Sequence, residues 1–389
     1  MHNAMAMTSS VYTSKLPELP TSIFTIMSSL AKKHNALNLS QGFPNFNADA
    51  DLLDLVARAM KDGHNQYAPM KGIYSLREVI SEKIETLYGA RYHPESEITI
   101  TVGATEAIYS AITAFVWPGD EVIVIKPAYD CYEPAIAANG GIPVFLQMKG
   151  KDFKIDWDEF KAAINSKTRM VVINTPHNPS GRVFGNADMQ QLQSCLRGTD
   201  ILLLSDEAYE HIIFDAIRHE SAARYPDLIS RSLICASFGK TFHVTGWKMG
   251  YCAAPAELMK EVRKIHEFNV FCVNHPVQIA LAAYMKRPEH YLGLGDFFQR
   301  KRDLFLSAIS SSRFSFKPCQ GTYFQLLDYS RISDESDVAL ARRWTIEKGL
   351  ASIPISVFNS NGQDNKQLRF CFAKTDDTLR QAAEIINTL

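Results

Sequence analysis

No stretch of this 389-residue chain is apolar for long enough to cross a bilayer, which excludes a helical membrane protein. It has no excess of either charge: the formal net charge is -1, so nothing points to a nucleic-acid or anionic-membrane partner. Its seven cysteines are Cys131, Cys195, Cys235, Cys252, Cys272, Cys319 and Cys371; they are odd in number, scattered, and form no C-x-x-C pair. That excludes a disulfide frame and a zinc site, no metal is expected, and reduced, mostly buried thiols in a cytoplasmic protein are. No G-x-G-x-x-G follows a strand, which disfavours a nicotinamide enzyme. Met1 to Ser10 lack a charged stretch followed by an apolar run, so no signal peptide is expected. Internal repeats, low-complexity tracts and Gly/Ser linkers are all missing.

What is present is a chain 46% hydrophobic and 21% charged, suited to a large core built as one large domain and a smaller one. The middle of the chain alternates apolar strands with helical patterns. The strands expected are Ile98–Val102, Glu121–Ile125, Pro143–Met148, Met170–Asn174, Ile201–Ser205, Leu233–Ser237 and Met249–Ala253. Helices are expected over Glu106–Val116, Trp157–Ala163 and Asp188–Leu196. This predicts an α/β fold with a mainly parallel seven-stranded sheet covered on both faces. The link from Lys240 to Lys248 is too short for a parallel crossover, so the last strand is expected to run antiparallel. A long helix from Leu258 to Met285, interrupted by Pro276, is expected next. The large domain spans 47–285. A smaller α+β domain combines 1–46, acting as an arm, with 286–389.

Sites in open α/β sheets lie outside the carboxyl ends of strands. Gly103-Ala104-Thr105, Tyr129, Asn178, Asp206 and Ser237 all close or follow expected strands and so converge on one crevice. Lys240, in Ser237-Phe238-Gly239-Lys240-Thr241-Phe242, supplies an amine; Asp206 and Tyr209, in Ser205-Asp206-Glu207-Ala208-Tyr209, supply a carboxylate and a phenol. Pyridoxal 5′-phosphate chemistry needs those groups: an amine for a Schiff base, a carboxylate to keep the pyridine nitrogen protonated, and a phenol for the ring hydroxyl. A helix start at Gly103-Ala104-Thr105 offers free N–H groups to a phosphate, with Ser237 and the charge of Lys248 beside it. Plainer readings stay open. Asp206 suits a helix N-cap, Asn178 sits in a turn signature, and Tyr129 suits a core. His177 reads as turn filler.

The chain resembles the fold-type I pyridoxal-phosphate aminotransferases over essentially its whole length. Within them it is most similar to the kynurenine–glutamine transaminase branch and its bacterial methionine aminotransferases. The resemblance is carried by Asn38-Leu39-Ser40-Gln41-Gly42-Phe43-Pro44, Asn65-Gln66-Tyr67-Ala68-Pro69, Asp130-Cys131-Tyr132-Glu133-Pro134, Asn174-Thr175-Pro176-His177-Asn178-Pro179-Ser180-Gly181, Ser205–Tyr209, Phe238–Phe242 and Thr245-Gly246-Trp247-Lys248. Many relatives carry arginine where Lys248 stands; the kynurenine-like branch also carries lysine.

The resemblance implies pyridoxal phosphate on Lys240, with Asp206 at the ring nitrogen, Tyr209 and Asn178 at the ring hydroxyl and Tyr129 against the ring. It makes Arg369, an arginine inside an apolar strand, the clamp for a substrate α-carboxylate, helped by Asn178 and the N–H of Gly42; a buried internal salt bridge is the alternative there. It brings Tyr67 to the phosphate of a neighbouring subunit, hence a homodimer with shared sites. Phe24, and Phe271 from the partner chain, would meet the substrate side chain; both read equally as ordinary core aromatics. The absence of a recognisable second arginine suits methionine, Phe, Tyr, Leu, Gln or kynurenine, with a 2-oxo acid as acceptor. A cysteine-conjugate β-lyase on the same residues is the alternative. A regulator keeping the fold as a ligand sensor is not expected, because no helix-turn-helix precedes the arm.

Overall fold

The computed structural model describes residues 13–389; the reading of Met1 to Ser10 lies outside them. Its main sheet has seven strands. From edge to edge they are Ile98–Thr101, Gly250–Ala253, Ser232–Ser237, Leu202–Asp206, Thr168–Asn174, Glu121–Lys126 and Ile142–Gln147. Central strands such as Met170–Ile173 and Leu202–Ser205 are buried throughout, because helices cover both faces. Gly250–Ala253 pairs antiparallel with both neighbours, and every other pairing is parallel. The short return after Lys240 thus does what its length dictates.

Two expectations shift by more than two residues. The helix after the first strand begins at Gly103, not Glu106, so Gly103-Ala104-Thr105 form its first turn. The long helix is two helices, Ala256–Asn269 and His275–Tyr284. The break precedes Pro276. Asn274 caps the second helix by accepting from the Val277 N–H, and Pro276 sits in its first turn, where a missing N–H costs nothing.

The second sheet is antiparallel, in the order Ile353–Pro354, Gln367–Cys371, Phe324–Asp328. Leu37–Asn38 pairs in parallel with Leu350–Ala351, and the helix Ile23–Lys33 packs on the helix Asp337–Glu347. The two ends of the chain therefore share one body. The fold also sets Cys235 directly opposite Cys252 on adjacent strands, a neighbourhood no sequence spacing announced; both are free thiols.

Residues 319–322 fasten the second sheet to the first. Gln320 and Gly321 N–H groups both donate to the Gly181 carbonyl, at 3.0 and 2.9 Å. Arg302 grips Asp215 with two bonds of 2.6 and 2.8 Å. Gly181 has φ +70°, and a Cβ there would lie 2.5 Å from Cys319 Cβ. Gly181→Ala should therefore cost roughly 2–4 kcal/mol, from backbone strain plus overpacking. Urea unfolding checks this: the midpoint falls at unchanged slope. An unchanged midpoint would mean that this contact does not hold the two sheets together.

Candidate functional site

A cavity of about 300 Å³ opens at the carboxyl ends of the main sheet. Its walls carry the ammonium groups of Lys240 and Lys248 and the guanidinium of Arg369, against one carboxylate, Asp206. The site is thus short of negative charge, and its occupant has to bring it.

One anion-binding end is built by the helix Gly103–Phe115. Its first residue follows Val102, which gives no side-chain cap, so the first-turn N–H groups of Gly103, Ala104 and Thr105 are left for a ligand. Lys248, at φ +53°, turns its side chain to the same spot: a Cβ on Gly103 would sit 3.5 Å from its Nζ. Ser237, closing its strand, lines the same wall with Tyr129 and Thr105.

Lys240 stands on the single helical turn Phe238–Thr241, directly after the strand that ends at Ser237. Its Nζ donates to the Gly42 carbonyl at 3.1 Å. Burial lowers its pKa to about 8, and the charges of Lys248 and Arg369 add to this. The amine therefore stays mostly an ammonium at neutral pH but gives up its proton far more readily than a free lysine, as a nucleophile or base must.

Asp206 is the last residue of its strand and is buried. It accepts from the Tyr132 hydroxyl at 2.6 Å and from the Ala208 N–H at 3.1 Å. The second bond is a local turn; no helix starts there, so the N-cap reading of this carboxylate falls away. Burial raises its pKa, opposed by the bond from Tyr132. Tyr209 is buried edge-on against Tyr323, with ring centroids 5.3 Å apart, and burial raises its hydroxyl pKa.

Arg369 is 1% exposed, in the middle strand of the second sheet. Its Nη1 donates to Asn178 Oδ1 at 2.7 Å and its Nη2 to the Ser40 carbonyl at 3.0 Å. The guanidinium lies 3.9 Å over the Phe324 ring and 5.2 Å from that of Phe24. Its buried Nε has no partner, and it makes no salt bridge among the described residues. The internal ion pair held open as an alternative is therefore not what the fold builds. Burial lowers its pKa to about 10.

Gly42 and Phe24 line the cavity as expected. The Gly42 carbonyl accepts from Tyr323 as well, at 2.6 Å, and a Cβ on Gly42 would strike Phe324 at 2.7 Å. Tyr67 and Phe271 are not among the lining residues. They stack edge-on at 5.1 Å, and Tyr67 is 80% exposed. His177 is no filler: buried, it donates from Nε2 to the Pro127 carbonyl at 2.9 Å and accepts from Ser180 at 2.6 Å, tying two cavity loops together. Burial drops its pKa to about 4, which keeps it a neutral tie. Sequence reasoning missed the parts played by Tyr132, Tyr323 and Phe324. Tyr132 stood inside a quoted segment, but nothing in its spacing pointed to Asp206.

The residues present fit pyridoxal 5′-phosphate. An uncapped helix start with Lys248 suits its phosphate, a buried amine its aldehyde, and a buried carboxylate its ring nitrogen, while the unpartnered Nε of Arg369 awaits a second anion.

Comparisons with known proteins agree. A family model for aminotransferase class I and II matches residues 34–386. Methionine aminotransferase of Escherichia coli (strain K12) is 49% identical, over 97% of this chain and 98% of that protein. Kynurenine–oxoglutarate transaminase 3 of Rattus norvegicus is 33% identical, over 96% of this chain and 89% of that protein. The crystal structure of YbdL from Escherichia coli, which identifies a methionine aminotransferase function, superposes with a TM-score of 0.94 at 48% identity, covering 97% of this chain and 100% of that one. Matched almost from end to end by the family model and by these relatives, the chain belongs to the class I and II aminotransferases, enzymes that depend on pyridoxal 5′-phosphate.

Proposed function

We propose that this aminotransferase takes the α-amino group from an apolar or aromatic L-amino acid, methionine first, and passes it to a 2-oxo acid. The observation that carries this is the charge of the cavity. Arg369 is free for one carboxylate, and no cation beyond Lys240 and Lys248 lines the walls to meet another. The rings of Phe24 and Phe324 flank the guanidinium instead, so apolar side chains suit the space. The methionine and kynurenine relatives support the same choice; Phe, Tyr, Leu, Gln and kynurenine are slower donors. A cysteine-conjugate β-lyase is not favoured, since these relatives are transaminases by name.

Bound in the cavity, pyridoxal 5′-phosphate supplies an aldehyde to carry the amino group and a ring that draws electrons from the substrate Cα. Lys248, Ser237 and the first-turn N–H groups of Gly103, Ala104 and Thr105 hold its phosphate. Asp206 keeps a proton on the ring nitrogen, and Tyr132 keeps Asp206 in place. Tyr209 and Asn178 bond the ring hydroxyl, and Tyr129 covers the ring. Arg369, with Asn178 and the Gly42 N–H, orients the substrate α-carboxylate, which fixes the direction of the Cα–H bond. Lys240 takes that proton at its Nζ, neutral above pH about 8. Phe24 excludes water from the side-chain end.

The large unit is residues 47–285, and the smaller one joins 1–46 to 286–389. Tyr67, which does not line its own cavity, reaches the phosphate in a second copy, and Phe271 lends its ring there, which makes the enzyme a homodimer. The exposure of Tyr67, Phe268 and Phe271 supports a covered face. A cytoplasmic enzyme accords with seven free cysteines; no helix among the described residues is long and apolar enough to cross a membrane.

Half-reaction rates, followed as pyridoxal phosphate becomes pyridoxamine phosphate, test the donor. Methionine should lead, and aspartate should trail by roughly 100-fold, its second carboxylate buried without a partner. Aspartate reacting as fast as methionine would overturn the proposal. Arg369→Lys keeps the charge but loses the planar fork. It should lower kcat/KM for methionine by about ten- to hundredfold while cofactor affinity holds; an unchanged kcat/KM sinks the carboxylate clamp. Tyr67→Ala and Lys240→Ala subunits, each impaired alone, should regain activity on mixing, because one heterodimer site is then intact. No recovery in a mixture proven to exchange subunits would refute shared sites.

A further inference from the structure

The stretch Asp206-Glu207-Ala208-Tyr209-Glu210 puts three carboxylates on one strand end, and all are buried, at 5%, 1% and 7% exposure. Like charges crowded away from water need separate partners. Each has its own. Glu207 accepts from Ser205 Oγ at 2.8 Å, from the Ala222 N–H at 3.0 Å and from His219 Nε2 at 2.8 Å. Glu210 accepts from Lys83 Nζ at 2.5 Å, from the Tyr251 hydroxyl at 3.1 Å and from the Tyr88 hydroxyl at 2.6 Å. Lys83 also donates to the Tyr251 hydroxyl at 2.8 Å. Of the three carboxylates, Asp206 alone lines the cavity.

The Glu210 cluster reaches both strand ends that carry the proposed chemistry. Glu210 follows Tyr209, and its N–H donates to the Glu207 carbonyl at 2.9 Å, closing the turn that holds both. The Tyr251 ring lies 5.6 Å from that of Phe238, the first residue of the turn bearing Lys240. Lys83 and Tyr88 come from another element, the helix Tyr74–Tyr88. We infer that Glu210, clamped by Lys83, Tyr88 and Tyr251, is a positioning residue that sets the direction in which Asp206 and Tyr209 meet the cofactor. An apolar residue would fill the same space, but three directed donors from two elements also fix the angle of the turn. The inference rests on the roles proposed for Asp206 and Tyr209.

The test compares the parent with near-isosteric Glu210→Gln and with the double variant Lys83→Met/Glu210→Leu, all loaded with pyridoxal phosphate. The double variant removes both buried charges together and so returns the unfolding midpoint towards the parent's. In both variants kcat with methionine should fall about ten- to hundredfold while KM stays within about twofold, the mark of misplaced groups. The visible circular dichroism of the bound cofactor should weaken with it. Parental kcat and visible dichroism in both variants would overturn the inference and leave the cavity reading standing. A parent that takes up no pyridoxal phosphate would overturn the cavity reading first, and this inference with it.

Discussion

Arg369 is a charged group held out of water with no opposite charge beside it, and much of the cavity is arranged to tolerate that. Stripping a guanidinium of water costs several kcal/mol, and an ion pair is the usual remedy. Here the Asn178 and Ser40 oxygens and the Phe324 ring each offset part of the cost, leaving the charge itself unneutralised. A carboxylate side chain in place of Asn178 or Phe324 would neutralise the charge and fill the place of the ligand. Lys240 and Lys248 sharpen the same imbalance. A ligand with two anionic ends relieves all three cations at once, which is a physical basis for tight and ordered binding.

The groups around this imbalance come from opposite parts of the chain. Ser40 and Gly42 stand near its start, Asn178 and Lys240 in its middle, Tyr323 and Arg369 near its end. The Gly42 carbonyl is where they join, accepting from Lys240 on one side and Tyr323 on the other. A side chain at Gly42 would displace Phe324 and with it the surface under Arg369. The glycine is therefore a packing requirement here, and no unusual backbone angle is involved.

The main sheet was legible because its strands are short apolar runs rich in Val and Ile, and because link length alone decides the direction of Gly250–Ala253. Lys240, Asp206 and Arg369 were legible because a charge among apolar neighbours needs a reason. What stayed hidden has no local trace. Tyr132 supports Asp206 from 74 residues away, and Lys83 meets Glu210 across 127. Cys235 and Cys252 become neighbours only through strand register. His177 sits in a turn signature that gives no sign of its bond to Pro127. Pro276 misled because proline breaks a helix interior yet starts a helix well, and sequence alone does not say which side of the break it occupies.

The parallel pairing of Leu37–Asn38 with Leu350–Ala351 has a consequence for biosynthesis. At about 5–20 residues per second, the first strand leaves the ribosome tens of seconds before its partner exists. Through that interval Met27, Ala31 and Leu39, all buried in the finished enzyme, wait without their final cover. Arg369 is made later still. A message cut short before Asp337 therefore yields a chain with the main sheet complete, a greasy N-terminal helix unshielded and no guanidinium in the cavity, a ready substrate for chaperones and proteases and never a slow enzyme.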